Sequence, residues 1–299
     1  MSIARRIAGG DQVADGHLPW IIASVAVSAL AAIGVAAWIN SRRFGRRIHR
    51  DVQRMFTDSP GPLPIERRRL EELPAPVRRF LVRALGARAL ALRTIRLRHG
   101  GTFRTSLDAH PLPVVGEEYF VSDPPGFLWW GRLRIAPGVW VDACDRSLAG
   151  VGNLRIAAES TLILGDNSGP AMDQGEMLRL LAEMVLIPSA FLDERHVIWM
   201  AIDDRTARAT LRVNGREASG LFEFAADGLP NRFSADRDRD VGKGKSVSTP
   251  WSGELSDYRE IDGLTVPFRF VACWHVDGKR IPYADFVVEQ FEPDVAAPF

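Results

Sequence analysis

The sequence predicts an α+β protein, with an N-terminal transmembrane helix followed by a curved, half-barrel-like antiparallel β-sheet packed on a helical insert. Three observations predict it. A run of about 22 uncharged residues from Leu18 to Ile39 covers the hydrocarbon layer of a bilayer at about 1.5 Å per residue. Beyond Leu92 the apolar period falls from near 3.6 to about 2, the signature of strands. Within that strand-rich region a single stretch, Asp173 to Leu192, returns to helical spacing.

In chain order, residues 1–17 form a tail and 18–39 the span. Residues 40–72 form a basic juxtamembrane segment with a Pro-rich linker, and 73–295 the sheet domain. Arg42, Arg43, Arg46, Arg47 and Arg50 follow the span at once, whereas only Arg5 and Arg6 precede it. The positive-inside bias therefore predicts a single-pass protein of the cytoplasmic membrane with its main domain in the cytoplasm. The alternative is an exported domain behind a signal anchor or signal peptide. The run is long for a signal peptide, and Ala36-Ala37 before Trp38 makes a poor cleavage site. Cys144 and Cys273 suit either compartment. Ser24, Ser28, Ala32 and Ala36 recur every fourth residue, which permits close approach of a second span in a weak homodimer or reflects an Ala-rich span. A formal net charge of +1 provides no global field for nucleic acid.

Phe44, Ile48, Val52 and Phe56 repeat at fourfold spacing among arginines, as in an interfacial helix or a solvated stalk. Pro60, Gly61, Pro62 and Pro64 then mark a linker. From Leu73 to Gly86, Val77, Phe80, Leu81, Ala84 and Leu85 share one face of a docking helix bounded by Pro76 and Gly86. Strands are expected at Thr94 to His99, Glu117 to Val121, Phe127 to Ile135, Trp140 to Ala143 and Leu154 to Leu164. Leu264 to Trp274 alternates most cleanly. Pro267 places that strand at an edge or leaves its start unpaired. Asn214-Gly215, Asp227-Gly228, Asp262-Gly263 and Asp277-Gly278 each suit a tight hairpin. In the insert (residues 173–192) Met177, Leu180, Leu181, Met184 and Val185 have helical spacing, Asp173 is the expected N-cap with Glu176 as its capping-box partner, and Pro188 ends the helix.

Five blocks in order, LPAPVRRFLVRALG, EEYFVSDPPGFLWWGR, QGEMLRLLAEMVLIPSAFL, WMAIDDRTARATL and PWSGELSDYREIDGLTVPFRFVACW, resemble an uncharacterised bacterial domain-of-unknown-function family from about Leu73 to Phe291. The resemblance implies an antiparallel sheet curved around helices, similar to the LolA-type lipoprotein-carrier fold, and it brings no activity with it. Leu186-Ile187 stands where a Trp is expected, and the tether lies outside the resemblance.

No catalytic motif survives scrutiny. Asp236, Asp238 and Asp240 have calcium-loop spacing, but Val241 and Val247 occupy the Gly and Glu positions of such a loop. Gly244-Lys245-Ser246 echoes a phosphate loop without its first Gly or a following helix. Cys273 and His275 with His99 or His110 are too few for a metal site, so neither metal nor cofactor is expected. Asp145-Arg146, Asp203-Asp204 and Asp257-Tyr258-Arg259 read as a cavity mouth or, more simply, as surface ion pairs. The functional expectation is a membrane-tethered protein binding a hydrophobic or lipid-like ligand between sheet and insert. Phe127, Trp129, Trp140, Trp199, Phe270 and Trp274 of the sheet, Met177, Leu181 and Met184 of the insert, and Tyr258 with Arg259 line the expected site. The alternatives are an enzyme on a membrane-derived substrate near Asp203, Tyr258 and Arg259, and an anchored scaffold.

Overall fold

The computed structural model describes residues 18–299 apart from Pro60, Pro62 and Lys243. The expected tail, with Arg5 and Arg6, and two prolines of the expected linker lie outside the described residues. Helix α1 runs Leu18–Asp58 without a break. Its N-terminal half carries exposed Trp20, Ile21, Val25, Val27, Ile33 and Trp38, and it is long and apolar enough to cross a membrane. The C-terminal half is neither an interfacial helix nor a stalk. Phe44, Ile48, Val52, Met55 and Phe56 are buried against Tyr119, Val121, Leu128 and Ala157, forming a second core on the convex face of the sheet. Gly45 permits this approach, since a Cβ there would meet the Trp130 ring at 3.2 Å. The fourfold apolar spacing is visible in the sequence, but its partner, a face built from Tyr119, Val121, Leu128 and Ala157 far later in the chain, is not.

Two short helices follow, α2 (Arg68–Glu72) and α3 (Ala75–Leu85). The five apolar residues expected on the inner face of α3 are all buried. A 13-stranded antiparallel sheet makes up the rest. Its first meander is β1 (Thr94–Phe103), β2 (Leu112–Ser122), β3 (Pro125–Ala136), β4 (Val139–Leu148), β5 (Val151–Ala158) and β6 (Leu162–Ser168). The second is β7 (Val197–Ala201), β8 (Thr206–Val213), β9 (Arg216–Phe224), β10 (Pro230–Asp240), β11 (Ser246–Ile261), β12 (Leu264–Val276) and β13 (Lys279–Pro293). Pairing of β1 with β13 joins the two meanders, which leaves β6 and β7 as the edges. Helix α4 (Pro170–Glu183) and 3₁₀ turns at Met184–Leu186 and Pro188–Leu192 connect those edges.

That connection requires curvature. Nine strand spacings separate β5 from β9, about 43 Å in a flat sheet at about 4.8 Å each, yet α4 packs on both. The β4–β5 and β8–β9 turns meet, Asn214 Nδ2 donating to the Ala149 carbonyl at 3.1 Å. Asp173 fastens the same two ends: Oδ1 accepts from the Gly152 amide at 2.8 Å and Oδ2 lies 3.2 Å from Arg216 Nε. The expectation that Asp173 caps the helix is corrected by this, because α4 starts at Pro170 with Gly169 as N-cap, and Glu176 turns inward to Arg237.

Other expectations shift locally. Leu154 to Leu164 is two strands, because Glu159 and Ser160 adopt positive φ and reverse the chain. Strand β12 lies between β11 and β13, but its ladder with β13 begins only at Arg269, so the start carrying Pro267 pairs with β11 alone. Asn214-Gly215, Asp262-Gly263 and Asp277-Gly278 have positive φ at both residues, as a type I′ turn demands, whereas at Asp227-Gly228 only the glycine does.

Candidate functional site

Strand alternation decides which polar side chains enter the half-barrel. On β2, Val114 and Phe120 face the concave core, so Glu118 between them faces it too. On β4, Ala143 does the same for Asp145. Helix α4 supplies Glu176, Arg179 and Glu183 from above, and β10 supplies Arg237. Arg179 donates from Nη2 to Glu118 at 2.6 Å, from Nη1 to Asp145 at 2.7 Å and from Nε to Glu183 at 3.0 Å. Its guanidinium carbon lies 4.7 Å from the Phe127 ring centroid and 5.2 Å from that of Trp129. Arg237 donates to Glu176 at 2.7 Å and to the Tyr283 hydroxyl at 3.3 Å, and Trp251 Nε1 donates to the same hydroxyl at 3.0 Å.

Four carboxyl groups thus share two guanidiniums. Burial, and then the charge of Glu183, pushes the Glu118 carboxyl well above its ordinary range, and burial with Asp145 does the same to Glu176. Burial raises Glu183 as well. Burial alone would lower Arg179, but the surrounding carboxylates overcome it and raise it well above its ordinary value. Asp145 Oδ1 and Glu176 Oε2 are buried without a donor, and the nearness of the Asp145 carboxyl adds to the upward pressure on Glu176. Raised carboxyl pKa values favour protonation of these groups, the direction that lowers the cost of burying four acids against two guanidiniums. Beside it, burial depresses His99 to about 4, so its imidazole is neutral and accepts from Trp129 Nε1 at 2.7 Å.

Toward one end of the strands the network gives way to half-buried aromatics. The rings of Phe286 and His99 stack with centroids 4.2 Å apart, and Tyr283 contacts Phe103 and Trp274, each at 5.8 Å. This shelf lies at the end of the half-barrel that carries the β1–β2 and β12–β13 turns. It lies level with the point where α1 leaves the domain, since Phe286, Gly101, Val114 and Leu133 form one cross-strand row and neighbouring Arg132 donates to Ser41 of α1 at 2.9 Å.

The expected site residues divide accordingly. Phe127, Trp129, Met177, Leu181 and Met184 come together in the main core, where side chains of α4, the 3₁₀ turns and the concave strands pack against one another. Phe270 and Trp274 are half-buried at that core's margin, and Trp199 packs on Phe191 and Phe222 with Nε1 unpaired. Trp140 does not join them. It shares the face of β4 that carries Asp142 and Cys144, on the convex side, and donates to Asp142 at 3.0 Å. The Tyr258 hydroxyl donates to the Pro230 carbonyl, exposed Arg259 pairs with Asp257, and Asp203 accepts from the Arg205 amide, so these three residues form no common site. Cys273 approaches Glu254 and His275 bonds Ser252, away from His99; both cysteines are free. Asp240 accepts from the Gly242 amide in the β10–β11 turn, where Lys243 lies outside the described residues.

A groove of about 620 Å³ lies at the opposite end between Leu63–Arg69, Leu92, Ser122 and Ser189–Arg195. Asp123, Asp193 and His196 converge there with ligand atoms within 4.8 Å of one another. Arg195 already bridges the two aspartates, at 2.6 and 2.5 Å, so their charge is satisfied within the chain.

A model of a family of unknown function (DUF6544) matches residues 64–286. No curated protein matches. Among solved structures, the fold is similar to a domain ascribed to outer membrane lipoprotein sorting from Vibrio parahaemolyticus, with 8% identity, TM-score 0.34, and coverage of 67% of this chain and 85% of that one. It is also similar to a LolA superfamily protein from Nitrosomonas europaea, with 8% identity, TM-score 0.34, and coverage of 73% and 91%.

Proposed function

We propose that this chain, which belongs to the family of unknown function DUF6544, is a membrane-tethered protein that binds a hydrophobic or lipid-like ligand at the aromatic shelf of its half-barrel. The observation that carries the reading is the half-buried aromatic shelf of Phe103, Trp274, Tyr283 and Phe286, set at the end of the strands from which the apolar helix departs. Apolar tails would lie on the rings, while the Tyr283 hydroxyl, held by Arg237 and Trp251, offers a hydrogen bond to a polar head. The packed middle of the barrel, with Met177, Leu181 and Met184, supports the shelf from behind. By the excess of arginines after Ile39, the domain lies on the cytoplasmic side.

The full chain, purified in detergent and extracted with organic solvent, is expected to release a bound lipid in stoichiometric amount and to bind a fluorescent fatty acid saturably. A chain that releases none and leaves the probe free would overturn the proposal.

A further inference from the structure

The β5–β6 hairpin and edge strand β6 carry a feature the ligand reading does not use. Leu162, Ile163 and Leu164 are consecutive, uncharged and all exposed. Leu162 and Ile163, paired with Ala158 and Ala157, point to opposite faces, and Leu164 is the unpaired residue of a bulge, so this edge is apolar on both faces and uncovered at all three side chains. An uncovered apolar edge strand in water invites pairing with other chains, and edges normally carry charge, proline or a cover. The neighbouring β3–β4 hairpin adds exposed Ile135 and Val139.

Position identifies the cover. Thr161, directly before Leu162, accepts a hydrogen bond at 3.1 Å from Asn40 Nδ2, the residue at which the exposed apolar stretch of α1 ends. Beside it, Ser41 is held by Arg132. The hairpin tips therefore stand level with the end of the apolar rod. Trp38 with Arg42 stacked on it lies at this level, and exposed Arg43, Arg46 and Arg47 follow within the next two turns, the succession of aromatic and basic residues suited to anionic headgroups.

We infer that Leu162, Ile163 and Leu164, with Ile135 and Val139, sit in the interfacial layer of the bilayer that α1 crosses, a second contact that fixes the domain with its aromatic shelf toward the lipid. The inference rests on the reading of α1 as a span. It is independent of whether a ligand binds.

The test uses the full chain with Cys144 and Cys273 replaced by Ala, reconstituted in vesicles of phosphatidylcholine and phosphatidylglycerol. An environment-sensitive fluorophore is attached at Leu162→Cys, at Val27→Cys within the apolar helix, or at exposed Val82→Cys on α3. Spin-labelled lipids are expected to quench positions 27 and 162 strongly and position 82 little. Quenching at 27 with position 162 matching 82 overturns the rim contact and leaves the span standing. Absence of quenching at both 27 and 162 overturns the span and the rim contact together.

Discussion

Replacing Arg179 with Met keeps the length and apolar stem of the side chain and removes the cation that pairs with Glu118, Asp145 and Glu183. Deleting one partner of a buried ion pair typically costs about 3–5 kcal/mol, because the other charge remains in a medium that solvates it poorly. Here three carboxyls lose their partner, but two of them, Glu118 and Glu183, already have raised pKa values and take up protons in compensation. A carboxyl whose pKa is higher in the folded than in the unfolded chain binds its proton more tightly when folded. Its contribution to stability is complete below the ordinary carboxyl pKa and is lost as pH climbs through the raised value. Without the guanidinium those values rise further, so the gap between wild type and R179M must widen with pH. Urea unfolding of the full chain in detergent, followed by tryptophan fluorescence, is expected to show a small difference at acidic pH and a loss of about 3–5 kcal/mol at mildly alkaline pH. The triple variant with Glu118→Gln and Glu183→Gln should recover much of it. A loss below about 1 kcal/mol at alkaline pH, or one that does not change with pH, would refute the reasoning.

His99 should act with the opposite sign. Its depressed pKa means stability is present above pH 6.5 and lost as pH falls toward about 4, on the order of 3 kcal/mol, and H99Q should remove that acid sensitivity in the same unfolding assay. Phe56→Ala empties a fully buried ring position against Tyr119 and should cost about 3–5 kcal/mol, with hydrogen exchange rising first over residues 40–58. Gly220→Ala would place a Cβ 2.1 Å from Phe233 Cζ and should destabilise by about 1–3 kcal/mol in thermal or urea unfolding, since the β9–β10 pair cannot separate to admit it.

Much of the fold was legible because local patterns coincide with global ones. The alternation through Leu264 to Trp274, the three Asx-Gly turns with positive φ, and the apolar face of α3 each declare an element without outside information. Membership of the DUF6544 family over residues 64–286 agrees with the resemblance read from five sequence blocks. The charged interior was not read, although its parity was available. Glu118 stands in phase with Val114 and Phe120, and Asp145 in phase with Ala143, which places both on the apolar face. Taken with Arg146 as a surface ion pair, Asp145 lost that signal; the two residues point to opposite faces, and Asp145 meets Arg179 instead. Arg179 itself sits on a helix whose buried residues include Asp173 and Glu176, so charge does not mark its exposed face, and pairing it with β2 and β4 requires the curvature of the sheet. Docking of Phe44 to Phe56 was hidden for a similar reason, since fourfold spacing specifies a face and says nothing of what covers it.

The central claim, that a hydrophobic guest occupies the aromatic shelf of the half-barrel, is tested most directly by cross-linking a photoactivatable fatty acid to the membrane-reconstituted full chain and mapping the modified peptides. Adducts are expected on the strand segments around Phe103, Trp274, Tyr283 and Phe286. Adducts confined to residues 20–39 would show lipid around the helix alone and would contradict a ligand site in the domain.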